Sequence, residues 1–173
     1  MRKIVAGFAS SVDGYIEGPE GEYDWILIDK EINFSELMKR FDTYFLGRKT
    51  YQMTLPMGSK KMPGITNYVF SNTLKAVDKN YILITGNIKD QVNLIKKQKG
   101  KDIAIFGGAN LLASLLDLQL VDEITISIIP VLLGKGKPMI DVLAEKIWLS
   151  FVSSKSYPNG TLQVNYAVTY SNK

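Results

Sequence analysis

Residues 103–116 constrain the fold more than any other stretch of this 173-residue chain. Four apolar residues at 103–106 have the length of a buried strand and are too few for a helix. Gly107 and Gly108 follow at once, and leucines then recur at helical spacing. The stretch therefore predicts a strand, a glycine turn and a helix. Such a turn suits a phosphate, because it offers bare N–H groups at the positive end of a helix dipole, but it also serves merely to return a helix to its sheet.

Length and composition indicate a single globular domain over residues 1–173. The chain is 46% hydrophobic, which is enough to bury a core of ordinary size. Cysteine and histidine are both absent, which excludes disulfides and thiolate chemistry and removes the commonest metal ligand and general base. We therefore predict no metal site, and a protein acid would have to be a carboxyl group, a lysine or a tyrosine.

The protein is expected to be cytoplasmic. No apolar run has the length needed to cross a bilayer, so no membrane partner is expected. The N-terminus enters a strand pattern at once and lacks the apolar region and cleavage site of a signal peptide.

The net charge of +4 comes mostly from lysine, since the only arginines are Arg2, Arg40 and Arg48. Lysines cluster at 60–61 and 96–101, where a solvated face is the favoured interpretation. A nucleic-acid surface would be richer in arginine with interleaved aromatic residues, so no nucleic-acid partner is expected. A nucleic-acid-binding domain is kept as a minor alternative that steep salt dependence of binding would reveal.

Strands alternate with helices through the first two thirds of the chain. Asn33 and Glu36 resemble a capping box, and the apolar residues that follow to Phe41 predict an amphipathic helix. Ile88, Val92 and Ile95 predict a second helix that ends before Gly100. Strands are predicted at 3–9, 43–46, 67–70, 81–85 and 103–106, with a loop at 55–64. The alternation favours crossover connections and a mainly parallel sheet.

The last third of the chain changes character. Isoleucines alternate with polar residues at 124–128, and a loop follows at 134–138. A strand then runs from 147 to 157, and Pro158, Asn159 and Gly160 form a strong hairpin signal before an alternating strand at 162–170. The sheet should therefore end in antiparallel strands.

Polar and cationic residues follow two of the earlier strands directly. Gly47, Arg48, Lys49 and Thr50 follow the second strand, where the arginine could clamp a phosphate or could belong to a simple turn with solvated charges. Ser71 and Asn72 follow the third strand, where short polar side chains either close a turn or contact a ligand.

With these motifs placed, the chain resembles the dihydrofolate reductase fold over essentially its whole length. The closest branch is the C-terminal reductase domain of the bifunctional riboflavin-biosynthesis deaminase/reductase, and residues 11–16 (SVDGYI) are its most specific motif here. The resemblance implies an α/β fold with a mainly parallel central sheet, flanking helices and an antiparallel C-terminal hairpin. It also implies NADPH-dependent hydride transfer to a C=N or C=O carbon of a small heterocyclic or ribosylaminopyrimidine-type substrate, as in a 5-amino-6-(5-phosphoribosylamino)uracil reductase.

The resemblance assigns cofactor contacts to three turns and to the first strand. In the family the glycine pair and the helix behind it hold the pyrophosphate, and the Gly-Gly peptide is typically cis. Two cations beside phosphate-facing turns favour NADPH over NADH. The implied cofactor residues are Ala9, Ile16, Gly47, Arg48, Lys49, Thr50, Ser71, Asn72, Phe106, Gly107, Gly108, Ala109, Asn110 and Leu111.

Substrate-facing residues are expected in the loop after the first strand. Asp13 is the first candidate for a catalytic polar group, with Ser11 beside it and Asp29 or Glu31 behind, although Asp-Gly pairs are also common turn formers. Trp25 would line the substrate pocket or act as a packing residue.

Alternatives to the reductase remain open. Dihydrofolate reductases place an acidic residue where this chain has Asn33, which counts against folate as the substrate. A nucleotide-binding or sensing protein could keep the fold without turnover. A homodimer is plausible, since Tyr166 and Tyr170 on the last strand offer an apolar surface.

Overall fold

The fold is an α/β domain in which strands and helices alternate, as predicted. The computed structural model describes residues 1–57 and 63–170, so Gly58, Lys60 and Lys61 of the predicted loop lie outside the described residues. The elements are β1 Ile4–Ser11, β2 Tyr15–Glu17, α1 Phe34–Met38, β3 Phe41–Gly47, α2 Arg48–Thr54, a 3-10 turn Leu55–Met57, β4 Thr66–Phe70, β5 Tyr81–Ile84, α3 Ile88–Lys97, β6 Asp102–Ile105, α4 Ala109–Asp117, β7 Glu123–Ile129, β8 Lys137–Pro138, β9 Trp148–Ser156 and β10 Leu162–Thr169.

One eight-stranded sheet organises the molecule, with strand order β5-β4-β3-β6-β1-β7-β10-β9. The six strands from β5 to β7 are parallel, whereas β10 is antiparallel to both β7 and β9. The predicted antiparallel end of the sheet is therefore confirmed. Pairing of β2 with β8 was not predicted, and it places a short strand inside the expected loop at 134–138.

The two faces of the sheet pack against different helices because side chains alternate along each strand. On the first face, α3 and α4 cover the apolar side of the central strands, with Val92 and Leu115 completely buried. On the second face, Tyr51 of α2 packs on Tyr44, Leu46, Val69 and Ala104. The helices that follow β3 and β6 therefore lie on opposite faces.

The helix predicted from Asn33 to Phe41 is much shorter than expected. The Asn33 side chain does cap the helix by accepting from Glu36 N, but α1 has five residues, and none of these five is buried. Asp102 N donates to Arg40 O at 3.2 Å, so the chain joins the sheet there and Phe41 becomes the first residue of β3. Strand pairing thus overrides the helical period.

The lysine cluster at 96–101 is not uniformly solvated. Lys96 is 7% exposed, and its Nζ lies 2.7 Å from Asp122 and 3.3 Å from Leu120 O. It is therefore a structural residue that joins α3 to the start of β7. Among the helices formed by the described residues, none has the length and apolar character that a membrane span requires.

Candidate functional site

The strongest candidate site lies where β3 and β6 end side by side. The chain leaves β3 through α2 towards β4, and it leaves β6 through α4 in the other direction, past β1 to β7. Adjacent parallel strands whose connections diverge in this way leave a crevice outside their carboxyl ends, where ligands bind in open α/β sheets. Gly47 ends β3, and Gly107 and Gly108 follow β6 at this point.

The two glycine turns are in direct contact. Gly47 N donates to Gly107 O at 3.1 Å, and Phe106 N donates to Phe45 O at 2.9 Å. Gly107 has a φ of +101°, and a Cβ there would lie 3.3 Å from Thr50 Oγ1. The Gly107–Gly108 peptide is cis, as the family resemblance implied. The predicted convergence of the second and fifth strand ends is thus present in the structure.

The N-terminus of α4 has the properties of an anion site. Gly108 is its N-cap residue, no side chain among the described residues caps it, and the first turn carries no acidic group. The first N–H groups of a helix lack partners within the helix, and the dipole makes this end positive. The oxygens of a phosphate group are the acceptors that these N–H groups lack, so the donors here fit a pyrophosphate.

Arg48 and Lys49 lie beside this turn, in the first turn of α2. Both side chains are exposed, and Arg48 Nη1 lies 3.4 Å from Gln52 Oε1, a weak contact. Cations at a helix N-terminus oppose the helix dipole, so their charge does not stabilise α2. The two cations are available to an anionic ligand in the crevice.

Ser71 and Asn72 lie at the carboxyl end of β4, the strand next to β3. Ser71 Oγ accepts from Thr73 N and Leu74 N, each at 3.1 Å, and Asn72 Oδ1 accepts from Gly86 N at 3.3 Å. The Ser71 hydroxyl therefore closes its own turn, whereas the Asn72 side chain links this turn to the one after β5. The two residues nevertheless share the sheet edge with Gly47 and Gly107, as predicted.

A cleft opens where β1 and β6 separate. These strands pair only as far as Ala6 and Ile105, after which the end of β6 follows β3 while β1 continues along β7. Ile16 lines this cleft as expected, but Ala9 does not, because it lies further along β1 beside Ser127. The lining comprises Ala6, Gly7, Phe8, Ile16, Ile105, Gly107, Gly108, Ala109, Leu112 and Met139.

Three other predicted residues of the glycine turn have separate surroundings. The Phe106 side chain is 53% exposed and lies against Tyr44, with ring centroids 5.7 Å apart. Asn110 donates to Asp141 Oδ2 at 3.1 Å, and Leu111 is buried in the core. Only the backbone of Leu111 is therefore placed to meet a ligand.

Asp13 holds a loop. Its carboxylate accepts from Leu133 N and Gly134 N, the shortest bond being 2.7 Å. A hydrogen bond from the Ser11 hydroxyl, followed by these backbone N–H groups, outweighs desolvation and lowers the pKa of Asp13. Ser11 itself is buried and accepts from Tyr15 N. Both residues thus hold the loop between β1 and β2, and Ile16 lies in β2.

Trp25 lines a separate pocket of about 290 Å³, together with Leu27, Ile129, Pro130, Val131 and Asn159. Asp29 is buried behind it and accepts from Asn159 N at 3.1 Å and Glu31 N at 2.9 Å. Glu31 is exposed, 3.8 Å from Lys155. The structure therefore places Trp25 in a pocket, whereas Asp29 anchors the loop that carries it.

Sequence reasoning missed six of the residues that line the cleft, namely Ala6, Gly7, Phe8, Ile105, Leu112 and Met139. Gly7 had a usable signal, because a glycine inside an apolar strand often marks a close approach by a ligand or another backbone. Leu112 was read only as part of the helical period. Met139 comes from a loop whose position depends on the unpredicted β2–β8 pairing.

Comparison with known structures first defines the fold. Dihydrofolate reductase from Enterococcus faecalis, solved with NADP(H), matches with a TM-score of 0.69 at 17% identity, over 97% of each chain. A putative riboflavin biosynthesis protein from Shewanella sp. PV-4 matches more closely, with a TM-score of 0.84 at 26% identity over 97% of this chain and 99% of that one. The chain therefore has a dihydrofolate reductase-like fold.

The family follows from the sequence. Residues 2–163 match the model of the RibD C-terminal domain, so the chain belongs to that family. It is also 36% identical over 178 residues to the uncharacterized protein YyaP of Bacillus subtilis (strain 168), covering 96% of this chain and 95% of that protein.

Proposed function

We propose that this protein is an NADPH-dependent reductase that passes a hydride to a C=N or C=O carbon of a small heterocyclic or ribosylaminopyrimidine-type substrate. The observation that carries the proposal is the contact between the Gly47 and Gly107 turns, which brings the uncapped N-terminus of α4 beside two exposed cations. Membership of the RibD C-terminal domain family and the NADP(H) bound to the Enterococcus reductase support it.

Each part of the crevice has a role in this proposal. Gly107, Gly108 and the first N–H groups of α4 hold the pyrophosphate, and Thr50 closes the turn beside them. Arg48 and Lys49 neutralise the phosphates, and the 2′-phosphate lies near Ser71 and Asn72. NADPH supplies the hydride, while the nitrogen or oxygen of the reduced bond takes up a proton. Holding both reactants in line is the main task of the protein.

Asp13 is assigned a positioning role, in place of the catalytic role expected from the sequence. Both carboxylate oxygens face loop N–H groups, and Met139 N donates to Gly14 O at 2.9 Å in the same connection. Asp13 thus fixes the loop pair that brings Ile16 and Met139 to the cleft. Solvent is the proton source in this scheme.

The first test is a fluorescence titration with NADPH and NADH. Arg48→Ala is expected to weaken NADPH binding about tenfold, or roughly 1.4 kcal/mol, and NADH binding much less, because a charge-assisted contact with the 2′-phosphate, which NADH lacks, is lost. Lys97→Ala is the matched control, since it removes an exposed cation at the opposite edge of the sheet. Equal NADPH affinity in wild type and Arg48→Ala contradicts the phosphate role.

A nucleotide-binding protein without turnover is the second candidate. One observation favours it: no ionisable side chain is found among the described residues that line the cleft. Such a protein binds NADPH normally but leaves it unoxidised with every candidate pyrimidine, which an absorbance assay at 340 nm detects.

A further inference from the structure

The second face of the sheet has a polar half that none of the helices in the described part of the chain covers. There the register aligns side chains in two rows across β1, β7, β10 and β9, which we call the open face. One row is Gly7, Thr125, Asn165 and Ser153, and the other is Ala9, Ser127, Gln163 and Lys155.

The openness of this face is unusual for its strand type. Antiparallel strands often turn one face to water, but parallel sheets are normally covered on both faces. Here the parallel strands β1 and β7 carry Gly7, Thr125 and Ser127 on the open face, where Gly7 is exposed and the two hydroxyl residues are half-buried. A ligand would complete the covering that a helix provides elsewhere on the sheet.

Hydroxyl and amide groups on the open face form a partly satisfied network. Thr125 Oγ1 donates to Asn165 Oδ1 at 2.7 Å, and Asn165 Nδ2 donates to Ser153 Oγ at 3.0 Å. The contacts of Gln163 are longer, 3.4 Å to Ser127 Oγ and 3.5 Å to Tyr157 OH. Contacts of this length are weak, so the Gln163 amide can exchange them for a ligand.

Gly7 connects the open face to the cofactor cleft. It lines the cleft, and it also begins the row that runs through Thr125 to Asn165. A Cβ built at Gly7 would have no described atom within 4 Å, so the strand presents bare backbone there. A molecule on the row that begins at Gly7 can therefore approach the cleft without meeting a side chain of β1 in that row.

Three cations, Lys3, Arg40 and Lys155, already have acidic partners on or beside these strands. Arg40 contacts Asp102 at 2.8 Å and Glu123 at 2.6 Å, and Lys3 contacts Glu123 at 2.6 Å. Lys155 lies 3.8 Å from Glu31 and 4.5 Å from the Tyr157 ring centroid. A phosphate on this face would have to displace these contacts, whereas a neutral ligand would not.

We propose that the open face is the substrate site and that it binds a neutral, hydroxyl-bearing pyrimidine without a phosphate, through Thr125, Ser127, Gln163 and Asn165. This inference rests on the proposed function, because the cleft beside Gly7 must hold the nicotinamide. It departs from the phosphorylated substrate that the family resemblance implied.

The test uses isotope-labelled protein saturated with NADP⁺ and titrated with 5-amino-6-ribosylaminouracil or its 5′-phosphate. We expect the unphosphorylated compound to shift the side-chain amide signals of Gln163 and Asn165, and to bind at least about tenfold more tightly than the phosphate. Gln163→Leu and Asn165→Leu should each weaken its binding about tenfold and leave NADP⁺ affinity unchanged. Thr169→Val is the matched control, because it removes a hydroxyl pair with Ser150 at the far end of the same strands.

The outcomes separate this inference from the proposed function. Tighter binding of the phosphate, binding without shifts of the two amide signals, or no binding of either compound overturns the inference while NADP⁺ binding still supports the cofactor site. The amide shifts are read on the wild-type protein, so they decide the matter even if a leucine variant fails to fold. Absence of NADP⁺ binding to the wild type would instead overturn the proposed function.

Discussion

Gly7 has no side chain, which leaves room beside β1 at the cleft. It lies in β1 on the lip of the cleft, in surroundings open enough to accept a larger residue. Gly7→Val should keep the free energy of unfolding within about 1 kcal/mol of wild type or raise it, since valine favours a strand. Its methyl groups would occupy the nicotinamide position, so the fluorescence gain of bound NADPH should fall about tenfold.

Two measurements separate stability from binding in this variant. Urea unfolding gives the first, and NADPH fluorescence together with calorimetric affinity gives the second. Ser154→Val on the exposed strand β9 is the control for adding a valine. An unaltered fluorescence gain in Gly7→Val would place the nicotinamide elsewhere.

The paired loops 12–18 and 131–139 are the element that positions the cleft lining. Asp13→Asn keeps the size of the side chain, but its Nδ2 cannot accept from Leu133 N or Gly134 N. Amide exchange across 131–139 should therefore become about tenfold faster, with weaker NADPH binding. Exchange measured by mass spectrometry tests this, with the exposed Asp24→Asn as control. Unchanged exchange at 131–139 would show that Asp13 does not hold the loop.

A charge cluster joins the starts of β1, β3, β6 and β7. Partial burial opposes ionisation of Asp102, but hydrogen bonds from Lys3 N–H and the Arg40 guanidinium outweigh it and lower its pKa below 3.8. Partial burial similarly opposes ionisation of Glu123, and Lys3 and Arg40 lower its pKa below 4.5. A carboxyl group whose pKa is lower in the folded than in the unfolded protein stabilises the fold at any pH above its unfolded pKa. That contribution is lost as the pH falls through the pKa of the folded protein.

Stability should therefore decline on acidification from about pH 5 to pH 3. Arg40→Met should lower the free energy of unfolding at pH 7 by about 1 kcal/mol, a small effect because the arginine is 40% exposed, and should flatten the acid decline. Denaturant titrations at several pH values measure both effects. Lys155→Met, which removes only the 3.8 Å contact with Glu31, should keep the wild-type slope. An unchanged slope in Arg40→Met would contradict the coupling.

Most of the order of strands and helices in the molecule was predictable because it depends on local period and turn residues, but α2 at Arg48–Thr54 was not predicted as a helix. Each predicted element has all of its signals within a stretch of about fifteen residues, as is true of the glycine turn, α3, α4 and the terminal hairpin. The early end of α1 at Met38, the β2–β8 pairing and the open face depend on contacts between distant segments. No local pattern encodes those contacts, so the loop contacts of Asp13 and the position of Ala9 beside Ser127 could not be derived from the sequence.

Self-association stays a prediction, but its location changes. Tyr170 OH donates to Val121 O at 2.9 Å, and Tyr166 is half-buried, so neither forms a free apolar surface. A group of exposed apolar side chains lies instead on the edge strand β9, where Trp148, Phe151 and Val152 are each more than half exposed. An edge strand of this kind is a natural place for a second copy to pair.

The central claim is that three turns, distant in sequence, bind one dinucleotide together. Hydrogen–deuterium exchange of the wild-type protein with and without NADPH tests it most directly. We predict joint protection of residues 47–50, 71–73 and 106–112, with the amino-terminal edge of the sheet unchanged. Protection of only one of these segments, or protection confined to other parts of the chain, would contradict it.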